Sequence, residues 1–374
     1  MPPDRSSDRT LEDVSAPSRV AGEGEGIGRD ELHLASRNHA MPLEALRADL
    51  TPPGLHYVLT HYDIPFVDAQ AWRLRLAGGG GAPVELGLDD LRSRPQHTVR
   101  VTMECAGNGR AVLEPRPVSQ PWLTGAVGTA EWTGVPLTDL LTELHPPGGA
   151  THVVFTGLDH GVERGVEQDY QRGLALDDEV IGHAVVALEM NGAPLPAQHG
   201  FPARLVVPGW YGMAHVKWLR EISLQDSPFE GFQHHAYRLR AEADDPGTPV
   251  TRIEPRALLA PPGFPDFMSR TRVLRPGPVA LEGRAWSGWG PVVRVEVSTD
   301  DGATWTDADL GAEAGRWAWR RFTAAWEATP GTHALRVRAH DATGRVQGTE
   351  PDWNRGGFTN NADLALEVVV LPAP

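Results

Sequence analysis

An irregular α+β domain followed by an all-β sandwich of the immunoglobulin type is the fold that these 374 residues predict. Three observations carry the prediction. Short apolar runs bounded by Gly and Pro, such as RLVVP and THVVFTG, alternate with short helical patterns between Glu31 and Asp244. The composition changes across AEADDPGTPVT, residues 241–251, which reads as a linker. Beyond it, strand patterns with turn signals recur at short intervals.

Taken in order, residues 1–30 are polar, rich in Gly, Ser and Pro and without periodicity, so they read as a flexible tail. Residues 31–244 form the first domain. RLVVP and THVVFTG look like buried strands, and TDLLTELH has apolar residues at helical spacing, with Thr138 as its expected cap. Residues 245–374 form the second domain. Its strands are expected in GPVALEGRAWSG, VVRVEVSTDDGATW, RWAWRRFTAAW, HALRVRAHDATG and LALEVVVL. Every second residue is apolar in VRVEVS and ALRVRAH, the pattern of a strand with one buried face. STDDGATW places Asp-Gly in a hairpin turn, with Trp305 entering the next strand.

A net charge of −15 argues against general binding to nucleic acid or to an anionic membrane surface. A small basic pocket stays compatible with it. One cysteine cannot form an internal disulfide, no apolar stretch approaches the length of a membrane span, and the N-terminus shows no signal-peptide core. A cytoplasmic location is therefore expected.

The lone cysteine, Cys105, sits in TMECAGNGR. A single cysteine is ordinarily a small buried hydrophobe. Here it ends the strand VRVTME and precedes Ala106-Gly107-Asn108-Gly109, a run suited to a tight turn with left-handed residues. A thiol so placed is expected to face a cavity, and Arg110 is expected to favour its thiolate, the metal-ligating form.

ECAGNGR resembles the cysteine motif of the sulfite oxidase family of molybdenum enzymes. The block HGFPARLVVPGWYGMAHVKWL, His199 to Leu219, is similar to that family's HGFP and HVKW segments, with ALEMNGAPLP before it. The resemblance covers residues 31–374 and identifies the second domain with the family's dimerisation domain. It implies a molybdenum–molybdopterin cofactor with Cys105 as the protein's ligand to the metal, and soft thiolate suits such a centre. It also implies that His199, Arg204 and Lys217 hold the cofactor's phosphate and pterin, with His215 and Val216 beside the lysine. Arginine offers a fork of donors to phosphate, and lysine a point charge. Asp159, in FTGLDHG, matches an acidic pterin contact, and His61, in THYDIP, matches the histidine of the first cofactor loop.

For the substrate pocket the resemblance implies Arg110, Trp122, Tyr237 and Arg355, the last after a one-residue gap in DWNRGG. Arg110 and Arg355 would stabilise an anion, and Tyr237 would donate a hydrogen bond. One departure stands out. Where typical members read Arg-Asn-His, this chain has Leu59, Thr60 and His61. A charge-assisted hydrogen bond contributes about 1.5–3 kcal/mol, so losing that guanidinium is expected to weaken sulfite binding by about one to two decades unless something compensates. Leu59→Arg is expected to tighten it.

The implied activity is oxo transfer to or from a small anionic or S/N-oxygenated substrate, with a homodimer and a separate electron-transfer partner. That partner is expected because no haem motif occurs and the sequence before Glu31 is short. A reductase of sulfoxides or N-oxides would use the same centre. Two other classes stay open on the residues alone: a cysteine hydrolase pairing Cys105 with a histidine, and a non-catalytic binding protein that works through its sandwich.

Overall fold

The computed structural model describes residues 10–17, 19–78, 80–146 and 148–372. The first nine residues of the expected tail and the last two of the second domain lie outside the described residues.

Two five-stranded sheets make the frame of the first domain. One runs in the order Val84–Leu86, Leu74–Ala77, Leu219–Gln225, His152–Glu163 and Val166–Ala175. The other begins with His97–Glu104, Val127–Pro136 and Val185–Met190, and Arg204–Val206 pairs with Val185–Met190. Between and around them Leu74, Leu76, Phe155, Leu205, Val216 and Ile222 are fully buried, as near-continuous apolar runs require. The helix in TDLLTELH spans Leu137–Glu143, with Pro136 as its N-cap. Thr138 is thus inside the first turn rather than at the cap. Proline's fixed φ and missing donor suit the entry to a helix.

The second domain is a sandwich of a four-stranded sheet, led by Arg256–Leu259 and Gly277–Trp286, and a six-stranded sheet centred on Gly331–Asp341 and Val292–Ser298. Leu335, Val337 and Ala339 point inward on alternate positions, as their spacing predicts. VRVEVS departs from alternation, because Glu296 is buried too. Its carboxylate accepts from Arg338 Nε at 2.6 Å and pairs with His340 Nε2 at 2.7 Å, so paired charges replace an exposed face. Asp301 and Gly302 both take positive φ, 60° and 86°, in the turn after Ser298. Val250 and Ile253 belong to the first domain's core, and the first strand of the sandwich begins at Arg256.

Residues 10–17 and 19–30 correct the expectation of a flexible tail. Leu11–Ser15 is helical, Val14 and Ala21 are buried, and Val20 pairs with Pro117 in an antiparallel bridge. Arg164 Nη1 donates to Ala16 O at 2.5 Å, and Arg116 forms an ion pair with buried Glu31. Two small apolar anchors and backbone pairing fix the segment without any periodicity to announce it.

The two domains share a polar contact that begins beside the cysteine. Glu104 is buried. Its Oε1 accepts from Arg256 Nη1 at 2.9 Å and from Asn108 Nδ2 at 2.9 Å, and its Oε2 from Trp286 Nε1 at 2.7 Å. Arg256 and Trp286 belong to the sandwich.

Candidate active site

Strand His97–Glu104 delivers Cys105 into a tight turn: Asn108 N–H donates to Cys105 O at 2.9 Å, and Arg110 N–H to Gly107 O at 3.1 Å. Gly109 takes φ +87°, the left-handed conformation its sequence suggests. A Cβ at Gly107 would lie 2.5 Å from the Arg110 guanidinium, so the glycine leaves the room in which that side chain folds back. Asn108 locks the turn, its Oδ1 accepting from Ala126 N–H at 3.0 Å. The second domain closes it. Thr359 N–H donates to Ala106 O at 2.8 Å, Asn360 Nδ2 to Gly109 O at 2.9 Å, and Arg110 Nε to Gly356 O at 2.8 Å.

Cys105 borders two cavities at once. The inner one encloses about 620 Å³ of atom-free space and is bordered by Cys105, His61, Asp159, His199, Arg204, His215 and Lys217. The outer one is an open cleft of about 2330 Å³ bordered by Cys105, Arg110, Trp122, Tyr237 and Arg355. The sulfur is thus buried but not enclosed by hydrocarbon. Burial pushes the thiol up, and Arg110, the Gly107 backbone and Trp122 offset this only in part. Arg110 acts in the expected direction but does not outweigh burial.

Among the described residues neither Arg204 nor Lys217, both buried at the inner cavity, forms a direct ion pair, although Asp159 is close enough to influence Lys217. Arg204 Nη1 donates to His199 O at 3.0 Å and Nη2 to His215 O at 3.4 Å, the guanidinium lies 4.8 Å from the Trp132 ring, and Nε has no partner. Lys217 Nζ donates to Leu59 O at 2.9 Å and Gln198 O at 3.2 Å. Burial lowers the Lys217 ammonium and raises the Asp159 carboxyl, each partly offset by the other. Asp159 Oδ1 is buried and unpartnered. Gly157 makes its position possible, since a Cβ there would fall 2.3 Å from that oxygen.

The histidines divide. His199 borders the cavity with Nε2 near Pro53 O at 3.2 Å, and burial holds it neutral. His215 accepts from Val207 N–H through Nδ1 at 3.1 Å, while Nε2 faces Trp210 O at 3.1 Å. Both ring nitrogens are therefore engaged by backbone, and His215 serves the cavity by holding Arg204. Val216 does not border it. Its side chain is in the core, its N–H bonds Ala214 O and its O accepts from Leu205 N–H. The chain turns tightly here, so the Val216 side chain enters the core while Lys217 Nζ reaches Leu59 O and Gln198 O.

A buried arginine and lysine in no direct ion pair among the described residues, an orphaned carboxyl oxygen and a single soft sulfur fit an anionic pterin cofactor that carries a thiolate-seeking metal. Among the described residues no three His, Cys, Asp or Glu side chains gather as a ligand set, so a metal here would rest on Cys105 and on donors that arrive with the cofactor.

In the outer cleft Tyr237 shares a hydrogen bond with His61 Nε2 at 3.0 Å and stacks on Phe358. Arg110 also lies over Phe358, 5.2 Å from the ring centroid. The Nε of Arg355 is buried and unpartnered, and the buried indole N–H of Trp122 is directed at the Cys105 sulfur, whose thiolate it favours. Sequence reasoning missed several residues: His56, Tyr57 and Gln198 inside, and Arg37 and Phe358 outside. His56 carries an orphaned buried Nε2 and packs on Gly128, whose missing side chain was the available signal.

A family model for the oxidoreductase molybdopterin binding domain matches residues 61–233, and one for the Mo-co oxidoreductase dimerisation domain matches residues 266–369. The chain is 33% identical to mitochondrial sulfite oxidase of Mus musculus, over 96% of this chain and 70% of that one. It is 38% identical to sulfite oxidase of Gallus gallus, over 84% of this chain and 72% of that one. The sulfane dehydrogenase SoxCD of Paracoccus pantotrophus shares the fold along the whole length of both chains, with a TM-score of 0.77 at 24% identity.

Proposed function

The chain belongs to the sulfite oxidase family and is an oxidoreductase that uses molybdenum and molybdopterin; from that premise we propose oxo transfer to or from a small oxyanion at Cys105. The observation that carries this reading is the position of the sulfur at the junction of two cavities of different character. When bound, the cofactor supplies two-electron oxo-transfer chemistry, and the protein supplies everything around it.

Arg204 and Lys217 are proposed to hold the cofactor phosphate, His199 and His61 to contact the pterin, and Asp159 to accept from a pterin N–H. Cys105 would ligate the metal. On the cleft side Arg110 and Arg355 would orient the oxyanion, Arg110 with its guanidinium held by Gly356 O and Gln120 O, and Arg355 with its main chain held by Arg240 O. Preorganised donors need no rearrangement as charge develops. Trp122 would line the pocket with its indole N–H toward the Cys105 sulfur, and Tyr237, held by His61, would orient the substrate. Electrons would leave to a separate partner, and the second domain would join two copies of the chain.

One observation favours a second reading. Leu59 borders both cavities where a guanidinium was expected, which suits a neutral sulfoxide or N-oxide. A screen of sulfite, nitrate, sulfoxides and N-oxides with artificial acceptors and donors, run beside assays of molybdenum and released pterin, separates the readings. Turnover of sulfite supports the first. Full turnover by Cys105→Ser that still holds molybdenum overturns both.

A further inference from the structure

The guanidinium absent at Leu59 has a counterpart nearby. Helix Arg29–Arg37 ends at Asn38, which turns into extended backbone at φ −122° and ψ 152°. His39 then pairs antiparallel with Val58, by His39 N–H to Val58 O at 3.1 Å and Val58 N–H to His39 O at 2.9 Å. Asn38 fixes the register further, because its Oδ1 accepts from Thr60 N–H at 2.7 Å and its Nδ2 donates to Gln120 Oε1 at 3.0 Å. That pairing sets Arg37 beside the Leu59–His61 tripeptide, where its Nη2 donates to His61 O at 3.3 Å.

Arg37 borders the same cleft as Cys105, Arg110 and Arg355. Its charge reaches inward, for it is among the charges that hold the His61 imidazole below its ordinary range, after burial and Lys217. No ion pair of Arg37 occurs among the described residues. The acid of its own helix that lines the cleft and is buried, Glu31, is taken by Arg116. A guanidinium beside a buried site, with one weak backbone acceptor and no carboxylate, is a charge available to a ligand.

We propose that Arg37 is a specificity-determining residue of the outer cleft, supplying from the paired N-terminal segment the third guanidinium for an oxyanion that Leu59 cannot supply. This rests on the reading of the cleft as the substrate site. It accounts for how the chain combines an apolar residue in the first cofactor loop with a site for a doubly charged anion. Because Arg37 is more exposed than Arg110, it acts mainly by attraction and orientation at the mouth.

The test uses the holoenzyme and compares wild type with Arg37→Ala, Arg37→Lys and Arg37→Ala combined with Leu59→Arg. Sulfite KM and kcat are read with ferricyanide at two ionic strengths, and sulfate affinity is read by calorimetry. Arg37→Ala is expected to raise the sulfite KM and the sulfate Kd by about five- to twenty-fold, with kcat changed less than about twofold and a weaker salt dependence. Arg37→Lys recovers part of the loss, and Leu59→Arg recovers most of it in the alanine background. An unchanged Kd and KM in Arg37→Ala overturns the proposal, as does a fall in kcat and thermal midpoint that Leu59→Arg leaves unrepaired. Failure of wild type to bind sulfate saturably also overturns it. Molybdenum-dependent turnover of a sulfoxide in that same preparation would leave the active-site reading standing.

Discussion

The inner cavity and the outer cleft meet at one sulfur atom and are built by opposite strategies. Around the inner cavity, nearly every functional group comes from the first domain, and Arg204, Lys217 and His215 are pinned by backbone carbonyls and amides before any ligand arrives. The outer cleft draws on three separate parts of the chain: the N-terminal segment through Arg37, the first domain through Arg110 and Trp122, and the sandwich through Arg355 and Phe358. On the proposed assignment, the cofactor would be met by a local block and the substrate by a wall assembled from distant pieces.

Removing the shared atom has the largest expected effect. Cys105→Ser should keep the fold and the inner cations while abolishing turnover, and activity per bound molybdenum is the measurement. Turnover near wild type would show that the two cavities do not work through the sulfur. Next comes the strut between domains. Glu104→Ala strands Arg256 with a single carbonyl acceptor, Asn360 O at 2.7 Å, and leaves Trp286 N–H unpaired. Loss of one member of a buried pair costs about 3–5 kcal/mol, so the urea midpoint should fall accordingly. An unfolding free energy changed by less than about 0.5 kcal/mol would mean that the strut is idle.

The inner cavity also makes a prediction about pH. Burial holds His56 at about 4, and His61 and His215 at about 3, all below the ordinary imidazole value of 6.5. A lowered folded pKa means that the unfolded chain binds protons first as pH falls. Stability is therefore full above pH 6.5 and is lost progressively toward about pH 4. The thermal midpoint of cofactor-free protein should drop across this window, and His56→Gln should flatten the slope. A wild-type midpoint constant over the window would contradict neutral burial of these rings.

The smallest expected change is at the junction of the two regions. With Arg37 already beside the loop, repulsion between neighbouring guanidiniums should limit the tightening of sulfite binding by Leu59→Arg alone to a few-fold, below the decade or two expected from the sequence. A gain of a full decade or more would mean that Arg37 contributes little charge to the cleft. The series from Cys105 to Leu59 thus measures how far each region depends on the other.

The difference between the regions also explains what the sequence disclosed. Cys105 and the His199–Lys217 block are local in the chain, so their residue types and spacing can be read without knowing the fold. Val216 was misjudged for the same reason, because adjacency to Lys217 in sequence is not adjacency in space. Arg37 was invisible, since its relevance depends on a two-bond bridge between His39 and Val58 that leaves no periodic trace. The Gly356–Asn360 clamp was half legible. DWNRGG pointed to Arg355, but nothing in the next few residues reveals that Thr359 and Asn360 close the cysteine turn. Buried charges such as Glu296 defeat alternation patterns because their partners sit on a neighbouring strand.

The hydrogen bonds that cross from Gly356, Thr359 and Asn360 to the turn after Cys105 mean that the sandwich cannot be exchanged as an independent module. A chimera that joins this catalytic half to the second domain of a relative must transplant the Arg256–Trp286 pair and the 354–360 loop together. Otherwise the turn after Cys105 will be shaped by a foreign scaffold.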